Sequence, residues 1–357
     1  MNLLFINTIG KKKFGGGEKW TVAAAAGLQE KGFDVVVAGH GGSKLLEKAA
    51  AAGVETTAFN IYSDISPYYV LKLAHYLRKH RVDVVIVRPT DLTVTGLAVH
   101  LLKQCRRPRV LVRHGLPLNH NIRKHVWLHN TFANGIITNT QSISDQYASR
   151  HFFQEGFVTV IHNGVHIPAM EENGVHDFSV RFPEKKIVLS VGRLAHQKGY
   201  RYLIDAITLL PKETAALQFV VLGDGKYRQK LTAYAQKQGV ANRIHFEGFV
   251  NDVWPYLRGC DLFVLPSLYE GMPNAAIEAM AAAKPVVLTR VNGADELIPD
   301  SSKGVLVPPQ DPYAIARAIS SLANNPEACR QIGNNARQWV AKHFTLEKMA
   351  EEMAKAV

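Results

Sequence analysis

Two cations and two carboxylates carry the sharpest chemical signal in the chain. Arg193 and Lys198 lie in Val191-Gly192-Arg193-Leu194 and Lys198-Gly199, where a strand gives way to a helix. A guanidinium grips two phosphate oxygens as a planar fork, and an ammonium is a mobile point charge, so together they suit a diphosphate. Singly, either reads as a solvated surface cation. Downstream, Glu270-Gly271-Met272-Pro273-Asn274 leads into Ala-Ala-Ile-Glu278. Pro273 suits a first helical turn, which leaves Glu270 in the loop before the helix and Glu278 about one turn inside it. The backbone N–H groups around Gly271 and Asn274 then form an anion site backed by the helix dipole. Phosphate repels a carboxylate, so Glu270 and Glu278 are expected to accept hydrogen bonds from sugar hydroxyls. Glu278 taken alone also reads as an ordinary acidic first turn.

Glycine-rich turns accompany these residues. Gly15-Gly16-Gly17-Glu18 separates the first strand from the first helix, where bare backbone can approach a phosphate or sugar. It lacks the Gly-Lys-Ser/Thr of a phosphate-binding loop and the spacing of the dinucleotide fingerprint. Gly223-Asp224-Gly225 and Glu247-Gly248-Phe249-Val250 are further strand-end loops. Each of these is weak alone, because such turns also occur without a ligand.

The elements that must position these residues follow a regular rhythm. Short Val/Ile-rich strands, such as 34–38, 83–87, 109–112, 186–191 and 262–265, alternate with helical stretches such as 68–81, 200–210, 274–283 and 326–343. That rhythm predicts parallel sheets covered by helices on both faces. Residues 166–184 interrupt it with a polar, punctuated stretch that reads as a linker. The expected class is α/β, with two doubly wound Rossmann-like domains, 1–165 and 185–344. Ligands of such sheets bind at the carboxyl ends of the strands.

Composition narrows the classes. The 357 residues are 47% hydrophobic and 20% charged, which excludes a disordered, collagenous or fibrous chain. Three scattered cysteines argue for a reducing compartment and against a disulfide framework or a cysteine zinc site. No run approaches the roughly 18 apolar residues of a membrane span, and the N-terminus lacks a basic n-region and a cleavage site. A cytoplasmic location is therefore expected. Residues 1–165 hold 20 Lys+Arg against 10 Asp+Glu, whereas the remainder holds 22 against 20. Such asymmetry fits either a polyanionic partner of the first half or a plain solubility charge. Nothing resembles a nucleic-acid reading module.

The ordered motif set resembles family-four retaining glycosyltransferases. Glu270-x7-Glu278 with Gly271 and Pro273 is similar to that family's E-x7-E signature. Gly192-Arg193-Leu194, Lys198-Gly199, Gly223-Asp224-Gly225, Glu247-Gly248-Phe249 and Asn163-Gly164-Val165 match in order, and Gly15-Gly16-Gly17-Glu18 resembles its Gly-Gly-Ala-Glu. The resemblance implies a GT-B fold, two Rossmann-like domains facing a cleft. The C-terminal domain is expected to bind the nucleotide sugar and the N-terminal one the acceptor. A last helix, 345–357, is expected to cross back onto the N-terminal domain.

By position, the family assigns Arg193 and Lys198 to the diphosphate and Glu278 to the ribose. Glu270, with the backbone of Gly271, Met272, Pro273 and Asn274, is assigned to the transferred sugar. Gly16 and Gly17 are expected near the phosphate or sugar, Gly223 among the donor-binding turns, and Gly248, Phe249 and Val250 near the base. His114, in Arg113-His114-Gly115, resembles the family's active-site histidine; it is a candidate to bond a sugar hydroxyl or orient the acceptor, although a lone histidine is more often structural. The chain contains no Asp-x-Asp, so neither a metal nor another cofactor is expected; the two cations take that role. The implied substrates are a nucleotide sugar, by default UDP-linked, and a glycan or lipid-linked acceptor in lipopolysaccharide or polysaccharide synthesis. Lys11, Lys12, Lys13, Arg78, Lys79, Arg123 and Lys124 are candidate contacts with an acceptor or an anionic membrane. A sugar-nucleotide epimerase of the same fold, or a binding module without catalysis, is the alternative.

Overall fold

The computed structural model describes residues 1–8, 10–11, 14–61, 66–102, 107–116, 122–148, 154, 156–169 and 174–357. It divides into two compact units, Met1–Gly164 with Leu346–Val357, and Val165–Thr345.

In the first unit, β-branched runs form strands and the segments between them form helices. The strands are β1 (Asn2–Ile6), β2 (Asp34–Gly39), β3 (Glu55–Ala58), β4 (Val84–Val87), β5 (Arg109–His114), β6 (Gly135–Thr138) and β7 (Val158–Val160). The helices between them are α1 (Gly16–Glu30), α2 (Lys44–Ala51), α3 (Pro67–Lys79), α4 (Leu92–His100), α5 (Ile122–Phe132) and α6 (Gln141–Ala148). Among the described residues the sheet is seven-stranded and parallel, in the order β3-β2-β1-β4-β5-β6-β7. The order reverses between β1 and β4, so the carboxyl ends of β1, β4 and β5 make the natural ligand crevice of this unit.

The second unit repeats the plan. Its strands are β8 (Lys186–Val191), β9 (Leu217–Leu222), β10 (Ile244–Gly248), β11 (Leu262–Leu265), β12 (Val286–Thr289) and β13 (Val305–Val307). Its helices are α7 (Tyr200–Thr208), α8 (Arg228–Lys237), α9 (Trp254–Gly259), α10 (Asn274–Ala281), α11 (Ala294–Leu297), α12 (Pro312–Ala323) and α13 (Pro326–His343). The parallel sheet runs β10-β9-β8-β11-β12-β13 and reverses between β8 and β11. Apolar clusters line both of its faces, one around Leu203, Phe219 and Ile315, the other around Leu189, Phe263, Ile277 and Met280.

The final helix, α14 (Leu346–Ala356), belongs to the first unit. Met349 and Met353 are buried there in one cluster with Trp20, Ala24 and Leu28. A side chain at Gly27 would put its Cβ 2.6 Å from that of Ala350, so the two helices approach as closely as a glycine allows.

Of the stretch read as a linker, 166–184, the described part lies in the second unit, where Phe178 is buried in the core and the His176 N–H donates to the Pro255 carbonyl. Elements without a strong sequence pattern, namely β3, β13, α5, α9 and α11, emerge only in the structure. Strand β3 is Glu-Thr-Thr-Ala at the sheet edge, with no fully buried residue, so it lacks the apolar run that marks its neighbours.

Candidate active site

The second unit gathers most of the predicted residues at the carboxyl ends of its strands. Lys198 closes a single 3-10 turn, His196–Lys198, and its ammonium donates to Glu270 Oε1 across 2.6 Å. Ser267 Oγ donates to the same oxygen at 2.7 Å, and Gln197 Nε2 reaches Glu270 Oε2 at 3.4 Å. Ser267 is itself tied to β12, because Thr289 Oγ1 donates to its carbonyl. Glu270 is only 7% exposed. A carboxylate this buried is tolerated because a cation and two neutral donors surround it. Sequence reasoning missed Ser267 and Gln197, which carry no motif and act only through the fold.

Glycine makes this meeting possible. Gly199, at φ +62, follows Lys198, and a Cβ there would stand 2.0 Å from the Pro266 carbonyl oxygen. The turn carrying Lys198 can therefore lie directly on the chain entering the Glu270 loop, fixed further by the Leu268 N–H donating to the Gln197 carbonyl at 2.8 Å. Gly223 plays the same part at the next turn. It sits at φ +135, where a Cβ would lie 2.2 Å from the Gly192 carbonyl oxygen, and its N–H donates to the Gly248 carbonyl at 2.6 Å. The strand-end loops of β8, β9 and β10 are thereby laced together.

Pro273 caps α10 from one position before the helix, not inside its first turn: its carbonyl accepts the N–H groups of Ala276 and Ile277. Gly271, Met272 and Pro273 are buried, while Asn274 and Glu278 are half-buried on the helix. Arg193 is exposed, with no hydrogen bond or ion pair to the described residues, and so is a cation available to a ligand. Phe249 is 75% exposed beside half-buried Val250.

In the first unit, Gly15 precedes α1, and the Glu18 carboxylate turns back to accept the Gly15 N–H at 2.8 Å. Gly16 and Gly17 form the first turn, whose N–H groups have no partner within the helix.

His114 is engaged by protein groups on every side of its ring. It is 3% exposed, with both ring nitrogens engaged by protein groups. His129 Nδ1 lies 2.6 Å from the His125 carbonyl, His129 Nε2 lies 2.8 Å from His114 Nε2, and Tyr147 Oη lies 2.7 Å from His114 Nδ1. A carbonyl only accepts, so His129 carries its proton on Nδ1 and accepts at Nε2 from His114; His114 Nδ1 then accepts from the tyrosine. Two neutral imidazoles satisfy the whole chain. Burial holds His114 well below the ordinary histidine range, reinforced by His129, His125 and Arg113; burial also lowers His129. No ring nitrogen of His114 remains for a sugar hydroxyl.

Of the basic candidates, Arg78 and Lys79 end α3, Arg123 and Lys124 begin α5, and Lys11 lies in the loop after β1. All five are exposed. Lys12 and Lys13 lie outside the described residues.

Comparison with known proteins defines the class. Residues 14–167 match the family model for glycosyltransferase family 4, and residues 174–339 the one for glycosyl transferases group 1. The chain belongs to this glycosyltransferase family.

An uncharacterized glycosyltransferase of Methanocaldococcus jannaschii is 33% identical over 227 residues, 61% of this chain and 58% of that protein. A lipopolysaccharide core biosynthesis glycosyltransferase of Rhizobium meliloti is 30% identical over 165 residues, 46% of this chain and 47% of that protein. The chain thus spans about half the length of these curated relatives. Among solved structures, HepE of Anabaena in complex with UDP superposes with a TM-score of 0.86 at 21% identity, over 100% of this chain and 99% of that one. The fold is that of GT-B glycosyltransferases.

Proposed function

We propose that this chain is a retaining glycosyltransferase that moves a hexose-type sugar from a UDP-sugar to a glycan or lipid-linked acceptor of the cell envelope. The observation that carries this reading is the ion pair of half-buried Lys198 with buried Glu270, in a unit where exposed Arg193 has no partner among the described residues. The UDP and UDP-glucose complexes of HepE and the lipopolysaccharide relative support the donor and acceptor classes.

As the glycosidic bond to the leaving UDP breaks, negative charge gathers on the terminal phosphate. Lys198, Arg193 and the N–H groups opening α10 stabilise that charge, which is ordinarily the largest catalytic contribution. Glu270 holds the Lys198 ammonium in position and accepts from the transferred sugar with its second oxygen. Glu278 accepts from the ribose hydroxyls. The acceptor hydroxyl attacks the anomeric carbon from the face the phosphate leaves, and its proton passes to a phosphate oxygen. The configuration is thereby kept, and no metal enters the sequence.

The acceptor is assigned to the basic first unit, with peripheral contact at the cytoplasmic face of a membrane. Tyr68, Leu71 and Trp127 are 64, 61 and 61% exposed, on helices that also carry Arg78, Lys79, Arg123 and Lys124. Aromatic and aliphatic side chains among cations suit an anionic interface. No helix among the described residues is long and apolar enough to cross a membrane.

The test is a thermal-shift panel of UDP, GDP, ADP and their sugar conjugates, with and without Glu278→Ala. Stabilisation by uridine nucleotides that weakens in the variant supports the reading. No shift with any nucleotide at millimolar concentration in folded protein would sink it. The anomeric configuration of the product, read by NMR, tests retention separately.

A further inference from the structure

Glu270 is gripped from both neighbouring strands of the second sheet. It follows β11, which lies between β8 and β12. From the β8 side, the Lys198 ammonium donates to Oε1 at 2.6 Å. From the β12 side, Thr289 Oγ1 donates to the Ser267 carbonyl at 2.5 Å, and Ser267 Oγ donates to Oε1 at 2.7 Å. Thr289 and Ser267 are 2 and 1% exposed, so both hydroxyls are shielded from water. Among the described residues, Oε2 receives only Gln197 Nε2, at 3.4 Å, and that amide also donates to the Tyr269 carbonyl at 3.0 Å.

The two oxygens are therefore unequal. A carboxylate oxygen accepts along two lone pairs. Oε1 has both filled by close donors, one of them charged, whereas Oε2 keeps room for a further donor. Lys198 alone would not fix that division. The last torsion of a glutamate side chain is broad, and an ammonium carries three donors on a flexible stem. A lone ion pair can therefore turn until the cation bridges both oxygens. A second donor removes that freedom, and the Ser267 hydroxyl sits on a peptide that Thr289 holds in place. It has one proton to give, and it gives it to the carboxylate. Gln197 cannot do the same, because its contact is long and its amide is shared with Tyr269.

We infer that Ser267, anchored by Thr289, is a positioning residue: it fixes the plane of the Glu270 carboxylate, with Oε1 turned to Lys198 and Oε2 left for a hydroxyl of the transferred sugar. The inference deepens the proposed function and rests on its assignment of Glu270 to that sugar. Ser267 acts through Glu270 and not on the substrate, so its loss touches the sugar half of the donor and spares the nucleotide half. Without the hydroxyl, Lys198 draws in Oε2 as well. Two parts of the site then loosen together, the acceptor for the sugar hydroxyl and the cation placed for the departing phosphate.

The experiment measures the affinity of the full chain for UDP and for UDP-glucose by calorimetry. It uses the parent, Ser267→Ala, Glu270→Ala and the double variant; thermal unfolding confirms that each is folded. Ser267→Ala is expected to weaken UDP-glucose about tenfold, the size of a lost hydrogen bond to a charged group, and to change UDP by less than about twofold. In the Glu270→Ala background the same substitution is expected to change UDP-glucose by less than about twofold, because the group it positions is gone. Thr289→Val removes the anchor and is expected to weaken UDP-glucose by a smaller factor; it carries the test if Ser267→Ala does not fold. An unchanged UDP-glucose affinity in Ser267→Ala overturns the inference. So does an equal loss for UDP and UDP-glucose, and so does a loss that persists undiminished without Glu270. In these three cases the parent still binds the donor, and the proposed function stands. Failure of the parent to bind UDP-glucose also overturns the inference, and failure to bind UDP as well overturns the proposed function with it.

Discussion

Lys198 and Glu270 meet at 2.6 Å with their side chains 16 and 9% exposed, although 71 residues separate them along the chain. Their contact is a product of topology: β8 and β11 are neighbours in the sheet, and each residue follows one of those strands.

The pair can be tested from either end. Lys198→Ala is expected to lower kcat by roughly 10²–10³-fold, with a smaller effect on donor KM, because in the proposed mechanism the ammonium acts on charge that develops in the transition state. Steady-state kinetics with the donor found by the nucleotide panel measures it. Near-normal turnover would remove Lys198 from the mechanism.

Gly199→Ala asks whether the turn matters as much as the cation. A methyl group there meets the Pro266 carbonyl oxygen at 2.0 Å, in a backbone conformation that alanine adopts reluctantly. The variant is expected to lose several kcal/mol of stability, by order of magnitude, and to lose activity even though Lys198 is intact. Denaturant unfolding of the variant beside the parent decides it; equal midpoints would contradict the close approach.

The histidine chain makes a prediction in pH. Burial lowers the folded-state pKa of His114 and His129, so the unfolded chain binds protons that the native protein refuses. Their contribution to stability is therefore complete above the ordinary histidine pKa of about 6.5 and is lost as the pH falls below it. Unfolding midpoints should drop between pH 7 and pH 5. His245, also lowered by burial, adds to the drop from the second unit. His129→Gln should flatten the slope; an unchanged slope would mean that this pair does not carry the effect.

Gly27→Leu tests the seat of the last helix. The new side chain collides with Ala350, and overpacking at such a contact costs about 1–3 kcal/mol. Trimming the opposing side with Ala350→Gly should restore part of the loss in the double variant. Full additivity of the two changes would deny the contact.

Much of the architecture was legible from residue patterns, and the reasons differ by element. Buried parallel strands such as β8 and β11 are unbroken apolar runs, so their positions read directly. Strand β3 is polar and lies at an edge, and the described part of 166–184 is polar yet belongs to the second unit, so neither stands out in the sequence. The loop carrying Glu270 was legible because its residue types recur as a spaced motif. The partners Ser267 and Gln197 were not, since one serine and one glutamine have no pattern without the sheet between them. His114 differs again: its expected role came from the resemblance of Arg113-His114-Gly115, and only the fold reveals the tyrosine and second histidine that occupy its ring nitrogens.

The assignment of α14 to the first unit sets an order of events during synthesis. Residues 346–357 leave the ribosome only after all of the second unit has been made, yet they cover Trp20, Ala24 and Leu28 near the start of the chain. The first unit must therefore wait, with an apolar stripe of α1 uncovered, while the second unit has all its strands in hand and can close earlier. A nascent chain arrested before residue 346 would present that stripe to chaperones, which makes the first unit the point of greatest vulnerability in the protein's assembly.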